Sequence, residues 1–264
     1  MSWPEVMAGM IEAAWLRAPE ANSRWPAVGT PITRRGSVAS MLLAEDLLLL
    51  VTDDTSGRLS APAAQVDAGL GGANLVELTL LNKVDLSGEG DQGKPGRIIV
   101  RDPSPVGDEI LDAALGIMIT RQGSKPSTVI KPLSKNLRQA LYQRLAGSGV
   151  IRAGRGRTLG IFPARTWPAQ DARHEEQVRQ LVTQALVQQT APDARTAALI
   201  ALLHALKCEH KIIDPRPYQL SRQQLRARAE EIAAGNWASE AVRKVIGEMA
   251  AATATAAAAA ASSG

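Results

Sequence analysis

Four leucines spaced four apart, Leu133, Leu137, Leu141 and Leu145, constrain this chain more than any other feature. At about 100° per residue they fall along one side of a helix, over an arc of roughly 120°, the signature of an amphipathic helix. Gly147 and Gly149 close that helix. The text that follows, Val150 to Phe162, holds two apolar pieces around a glycine-arginine run. That pattern predicts a β-hairpin with a basic tip carrying Arg152, Arg155 and Arg157. Other helical segments surround this unit. Met41 to Val51 is an apolar helix with Ser40 as its cap and Glu45 and Asp46 near its first turns. Asp53 to Gly57 ends it. A second helix runs through Ala63 to Leu81, with Leu70, Leu75, Leu78 and Leu81 toward the core. Short strands are expected around Val84 and over Arg97 to Val100, then a helix from Gly107 to Leu115, its positive end matched by Asp108. Helices over Glu175 to Val187, Asp193 to Cys208, Leu220 to Ala234 and Ser239 to Met249 complete a mainly α, single-domain fold spanning residues 38–248. Residues 1–37, with four prolines and three tryptophans, read as a flexible arm, and the alanine-rich residues 249–264 as a disordered tail.

Composition narrows the class. An apolar content of 45% with 21% charged residues suits a globular chain of 264 residues. The single cysteine, Cys208, rules out an internal disulfide and fits a cytoplasmic setting. No run approaches the roughly 20 apolar residues that a spanning helix needs, so any membrane contact is expected to be peripheral. Charge is segregated along the chain. Residues 121–170 hold ten lysines and arginines and no acid, while the whole chain carries only +4. The remainder is therefore net negative, and the basic part is the footprint of a surface that attracts phosphate, with a plainly solvated basic face as the alternative.

No catalytic constellation stands out, and neither enzyme activity, cofactor nor metal is expected. His204, Cys208 and His210 resemble ligands only in spacing and lack a fourth partner. The glycines of Gly69-Leu-Gly-Gly72 sit inside a helical pattern, where close helix packing explains them better than a dinucleotide loop does. Asp53 and Asp54 fall in a turn, where aspartate makes local hydrogen bonds. The basic residues form the better constellation. On a single helix Lys131, Lys135 and Arg138 would share an arc of roughly 60°, away from the leucines. Together with Arg152, Arg155 and Arg157 they outline a phosphate-binding corner between helix and hairpin.

The order of these features resembles the Golgi phosphoprotein 3 family. The matching text is Leu42-Leu-Ala-Glu-Asp-Leu-Leu-Leu-Leu50, Ala68-Gly-Leu-Gly-Gly-Ala-Asn-Leu-Val-Glu-Leu78 and Pro105-Val-Gly-Asp-Glu-Ile-Leu-Asp-Ala-Ala-Leu115. It continues through Leu137 to Ile151, the hairpin ending at Phe162-Pro163, and Arg195 to Leu206. The arginine-rich, alanine-rich composition suggests a bacterial-type member. The resemblance implies a helical domain that binds phosphatidylinositol 4-phosphate on the cytoplasmic face of a membrane. It further implies self-association through the hairpin and membrane proteins as clients. The family's headgroup pocket uses a tryptophan, an arginine in the second helix and two basic residues three apart on the helix before the hairpin. The last two fall at Lys135 and Arg138, and the first two at Pro62 and Gly71, so half the pocket departs from the pattern. A winged-helix nucleic-acid binder would also place a hairpin after a basic helix, but the leucine stripe leaves a narrow polar face for reading bases.

Overall fold

The computed structural model describes residues 41–53, 56–88, 90–91, 93–152, 154–158, 162–166, 170–235, 246–247 and 250–251. The expected N-terminal arm, Ser40, Asp54, most of the last helix and nearly all of the tail lie outside them.

The centre of the molecule is α1, Leu43–Val51, all nine residues of which are buried. It is enclosed by α2 (Ala63–Leu80), α5 (Leu137–Gly147), α6 (Arg173–Val187) and α7 (Ala194–Ala205). A helix buried on every face belongs in such a position, with its two acids, Glu45 and Asp46, paired by the surrounding helices. Its start needs no hydroxyl cap: Glu45 reaches back to accept a hydrogen bond from the Leu42 backbone N–H at 2.8 Å.

Two antiparallel hairpins complete the described fold. In the first, β1 (Val84–Leu86) pairs with β2 (Ile98–Val100), Val84 opposite Val100. Helix α3, Glu109–Thr120, follows, and its cap Asp108 accepts from the N–H groups of Ile110 and Leu111 at 3.0 and 3.2 Å. After α4 (Pro126–Ser134) and α5, the second hairpin pairs β3 (Gly154–Thr158) with β4 (Phe162–Thr166). Helices α8 (Glu209–Ile212) and α9 (Arg222–Ala234) follow, α9 packing on α7. The mainly helical, single-domain expectation holds.

Three local expectations need correction. The leucine stripe is not on one helix: α4 ends at Ser134, Lys135 is extended, and Asn136 adopts φ +62° before α5 begins. Asparagine tolerates that left-handed conformation, which is how a chain leaves one helix before starting the next. All four leucines are nonetheless fully buried. The glycine-arginine run is not the hairpin tip but strand β3, with Arg155 opposite Arg165 and Arg157 opposite Pro163. Leu81 lies past the end of α2 and is 45% exposed, because the helix stops one residue before it.

The glycines of α2 do what close packing requires. A Cβ on Gly69 would sit 3.1 Å from the Leu206 side chain. One on Gly71 would sit 3.0 Å from the Ile130 carbonyl oxygen and 3.1 Å from the Ser134 nitrogen. Helix α2 therefore rests directly on the backbone of α4, a contact only glycine allows.

Candidate functional site

The break between α4 and α5 opens a pocket of about 420 Å³. Ser134, Asn136, Arg138, Gln139 and Tyr142 line it from the break and from α5, and Asp67 faces them from α2. Gly57 and Leu59 form its remaining wall. Local chemistry explains the placement. Asn136 turns the chain, so Arg138 emerges in the first turn of α5 rather than continuing the line of α4. The Tyr142 hydroxyl is held by Thr52 at 2.9 Å, which fixes the inner end of the pocket to the last turn of α1.

Arg138 does not stand in the pocket without a counter-charge. Its Nε lies 2.9 Å from Asp67 Oδ1, with both side chains about a third exposed, at 31% and 34%. Burial pushes the Asp67 carboxyl above the ordinary aspartate range, and the Arg138 guanidinium only partly offsets this. Lys135 is exposed between the lining residues Ser134 and Asn136, and Lys131 is exposed on the last turn of α4. Because the helix is broken between them, Lys131, Lys135 and Arg138 do not share one wheel. They occupy the end of one helix, the connection and the start of the next. Arg152 is exposed just before β3. The side chains of Arg155 and Arg157 lie outside the described residues.

A second arginine-carboxylate cluster, missed in the sequence, lies at the start of α1. Arg195 Nη1 meets Glu77 Oε1 at 2.8 Å and its Nη2 meets Asp46 Oδ2 at 2.9 Å. Arg195 also donates to the Met41 carbonyl. His174 Nε2 lies 2.7 Å from Asp46 Oδ1, and Glu77 Oε2 accepts from the Leu43 N–H at 2.7 Å. Arg144 bridges Glu45 and Asp108 at 3.0 and 2.7 Å. Burial raises the carboxyls of Glu45 and Glu77 against the pull of these arginines. Arg144 belongs to the acid-free stretch, so one of its ten cations is spent on the interior.

The other candidates keep ordinary roles. Asp53 Oδ1 accepts from the Ser56 N–H and hydroxyl, both at 2.7 Å, as expected of a turn. Cys208 is buried, and desolvation pushes its thiol up to about 12, as for a thiol that packs in an apolar core. Among the described residues no group of three histidines, cysteines or acids could hold a metal, and no helix is long and apolar enough to cross a membrane.

The comparison with known families decides the identity. The sequence model of the Golgi phosphoprotein 3 (GPP34) family matches residues 43–249. The chain belongs to the Golgi phosphoprotein 3 family. It is also similar to vacuolar protein sorting-associated protein 74 of Eremothecium gossypii, with 24% identity over 227 residues, 73% of this chain and 67% of that protein. The bacterial origin suggested above rests on composition alone. Within this Golgi phosphoprotein 3 domain, Pro62 is the exposed cap of α2, and Gly71 is buried against α4.

Proposed function

We propose that the protein is a peripheral membrane protein that lays the α4–α5 face on an anionic lipid surface and receives a headgroup phosphate at Arg138. One observation carries this reading: the helix break presents Arg138 to an open pocket, with the exposed Lys131 and Lys135 on the adjoining elements. A guanidinium fork at the pocket and compact ammonium charges outside it suit one bound phosphate within a diffuse anionic surface. Family membership supports the choice, since Lys135 and Arg138 occupy the two matching basic positions. By that resemblance phosphatidylinositol 4-phosphate is the first headgroup to test. A relative named for vacuolar protein sorting fits client membrane proteins as further partners.

The test is co-sedimentation with phosphatidylcholine vesicles, with and without anionic lipids, including phosphatidylinositol 4-phosphate. Binding should require the anionic component and fall as salt rises past 0.1 M, where charges are screened over about 10 Å. Equal binding to neutral and anionic vesicles at every salt concentration contradicts the proposal. Effective competition by duplex DNA at equal phosphate would instead favour a nucleic-acid partner. The β3–β4 hairpin is the proposed self-association element, since an isolated two-stranded hairpin is marginal in water. Replacing the whole hairpin, residues 152–166, by a short linker should lower the molar mass in light scattering without loss of helix content.

A further inference from the structure

The pocket carries both signs of charge. Its described lining offers one cation, Arg138, and one anion, Asp67, together with the neutral polar side chains of Ser134, Asn136 and Gln139. A site meant for a multiply charged phosphate should not hold a carboxylate 2.9 Å from its main guanidinium. The carboxylate is built in from α2, four residues before Gly71 and so on the same helix face. It cannot retreat far, because α2 is seated on the α4 backbone at Gly71. Asp67 is also undercompensated. Burial raises its carboxyl despite Arg138, so desolvation outweighs the single pairing and leaves the carboxylate with a deficit of stabilisation. A purely anionic ligand worsens that deficit, whereas a ligand with its own cation relieves it.

We infer that the pocket selects a zwitterionic phosphate ester carrying a primary ammonium, a phosphoethanolamine group, with its phosphate on Arg138 and its ammonium on Asp67. The inference rests on the reading of Arg138 as the phosphate contact. A primary ammonium is favoured over a quaternary one because it can donate hydrogen bonds to a carboxylate. Quaternary groups are held instead by cages of several aromatic faces, and Tyr142 is the one aromatic residue among the described lining. The diffuse attraction of Lys131 and Lys135 for anionic membranes is unaffected, so membrane docking and headgroup choice belong to different residues. Asp67 is thus the specificity-determining residue of the site.

The group could come from a lipid or from a small metabolite, and the experiment separates the two. Calorimetric titration of the full chain with soluble O-phosphoethanolamine, phosphocholine and inorganic phosphate gives the ranking. A parallel vesicle series keeps a constant share of phosphatidylglycerol in phosphatidylcholine, with or without added phosphatidylethanolamine, so that the surface charge does not change. Phosphoethanolamine is expected to bind about tenfold tighter than phosphocholine or inorganic phosphate, the scale of one charge-assisted contact. Asp67→Asn should erase that preference while strengthening inorganic phosphate. Selective binding confined to vesicles identifies the lipid as the source, and binding of the soluble ester identifies the group itself. The inference is overturned if wild type prefers phosphocholine or inorganic phosphate, if phosphatidylethanolamine adds nothing to binding at constant vesicle charge, or if Asp67→Asn keeps the original order. The wild-type ranking needs no variant, so a poorly folded Asp67→Asn chain does not protect the idea. Arg138→Gln separates the underlying reading: unchanged binding of every phosphate ligand removes Arg138 as the phosphate contact and both proposals fall. Loss of binding with an anion-first ranking in wild type removes only the selectivity.

Discussion

Two arginine-carboxylate clusters in this protein are built from the same chemistry in opposite surroundings. At the start of α1, Arg195 meets two carboxylates and a backbone carbonyl, and Asp46 is shared with His174. Asp46 and Glu77 are both buried there. At the pocket, Arg138 and Asp67 form a single pair, about a third exposed. The first cluster is saturated and fixes how α1, α2, α6 and α7 meet. The second leaves room for a ligand to compete. Burial and the number of partners, rather than the identity of the side chains, distinguish the closed cluster from the open one.

The largest consequence of that difference should be seen in stability. Arg195→Ala removes the counter-charge of buried Glu77 and leaves buried Asp46 with His174, and is expected to cost about 3–5 kcal/mol in denaturant unfolding. Arg138→Ala should cost less than about 1 kcal/mol, because its partner can be hydrated. Similar losses for the two variants would break the comparison. Next in size is the packing that holds Asp67 in place. Gly71→Ala is expected to cost about 1–3 kcal/mol and to exceed Gly69→Ala, since the first meets helix backbone and the second a leucine side chain that can yield. The opposite order in thermal melts would mean that α2 is not seated on α4 as described.

In binding, the ranking of the two clusters inverts. The double variant Lys135→Ala, Arg138→Ala should lose at least about 1 kcal/mol of affinity for anionic vesicles, on the scale of one basic residue near a membrane. Its melting temperature should stay close to wild type. If it binds like wild type while Arg152→Ala does not, the contact surface is the hairpin side. The smallest effect is a titration. The hydrogen bond with Asp46 holds the His174 imidazolium to higher pH than an ordinary histidine. Its stabilisation is present below the unfolded value of about 6.5 and disappears as pH rises through the raised folded value. With His174 partly exposed, the change should stay under about 1 kcal/mol. Comparing stability at pH 6 and pH 9 in wild type and His174→Gln isolates it, and an equal pH slope in both would refute the contact.

Much of the helical frame was legible because periodicity is local. The α1 run, the Asp108 cap and the glycines of α2 each carry their reason within a few residues. The break at Asn136 was hidden because Leu133 and Leu137 keep helical spacing across it, and one left-handed residue leaves no mark on an apolar pattern. Strand β3 was mistaken for a turn because its glycines alternate with arginines, a period-two pattern without an apolar face. The ion pairs were out of reach for a different reason. Arg195 and Asp46 are 149 residues apart, and nothing local in either segment names the other. Lys135 and Arg138 were visible as bases, but the carboxylate facing Arg138 became visible only once α2 was folded against α5.

The contact at Gly71 also restricts the routes by which this sequence can change. A single substitution to arginine, the residue that the family pattern calls for there, would drive a long side chain into the Ile130 carbonyl and the Ser134 amide. Restoring that arginine requires α4 to move outward first, through changes elsewhere that bring no benefit while glycine remains. Related chains should therefore vary position 71 together with the α4 residues beneath it, and seldom alone. The residue at position 71 and the spacing between α2 and α4 are, on this view, inherited together.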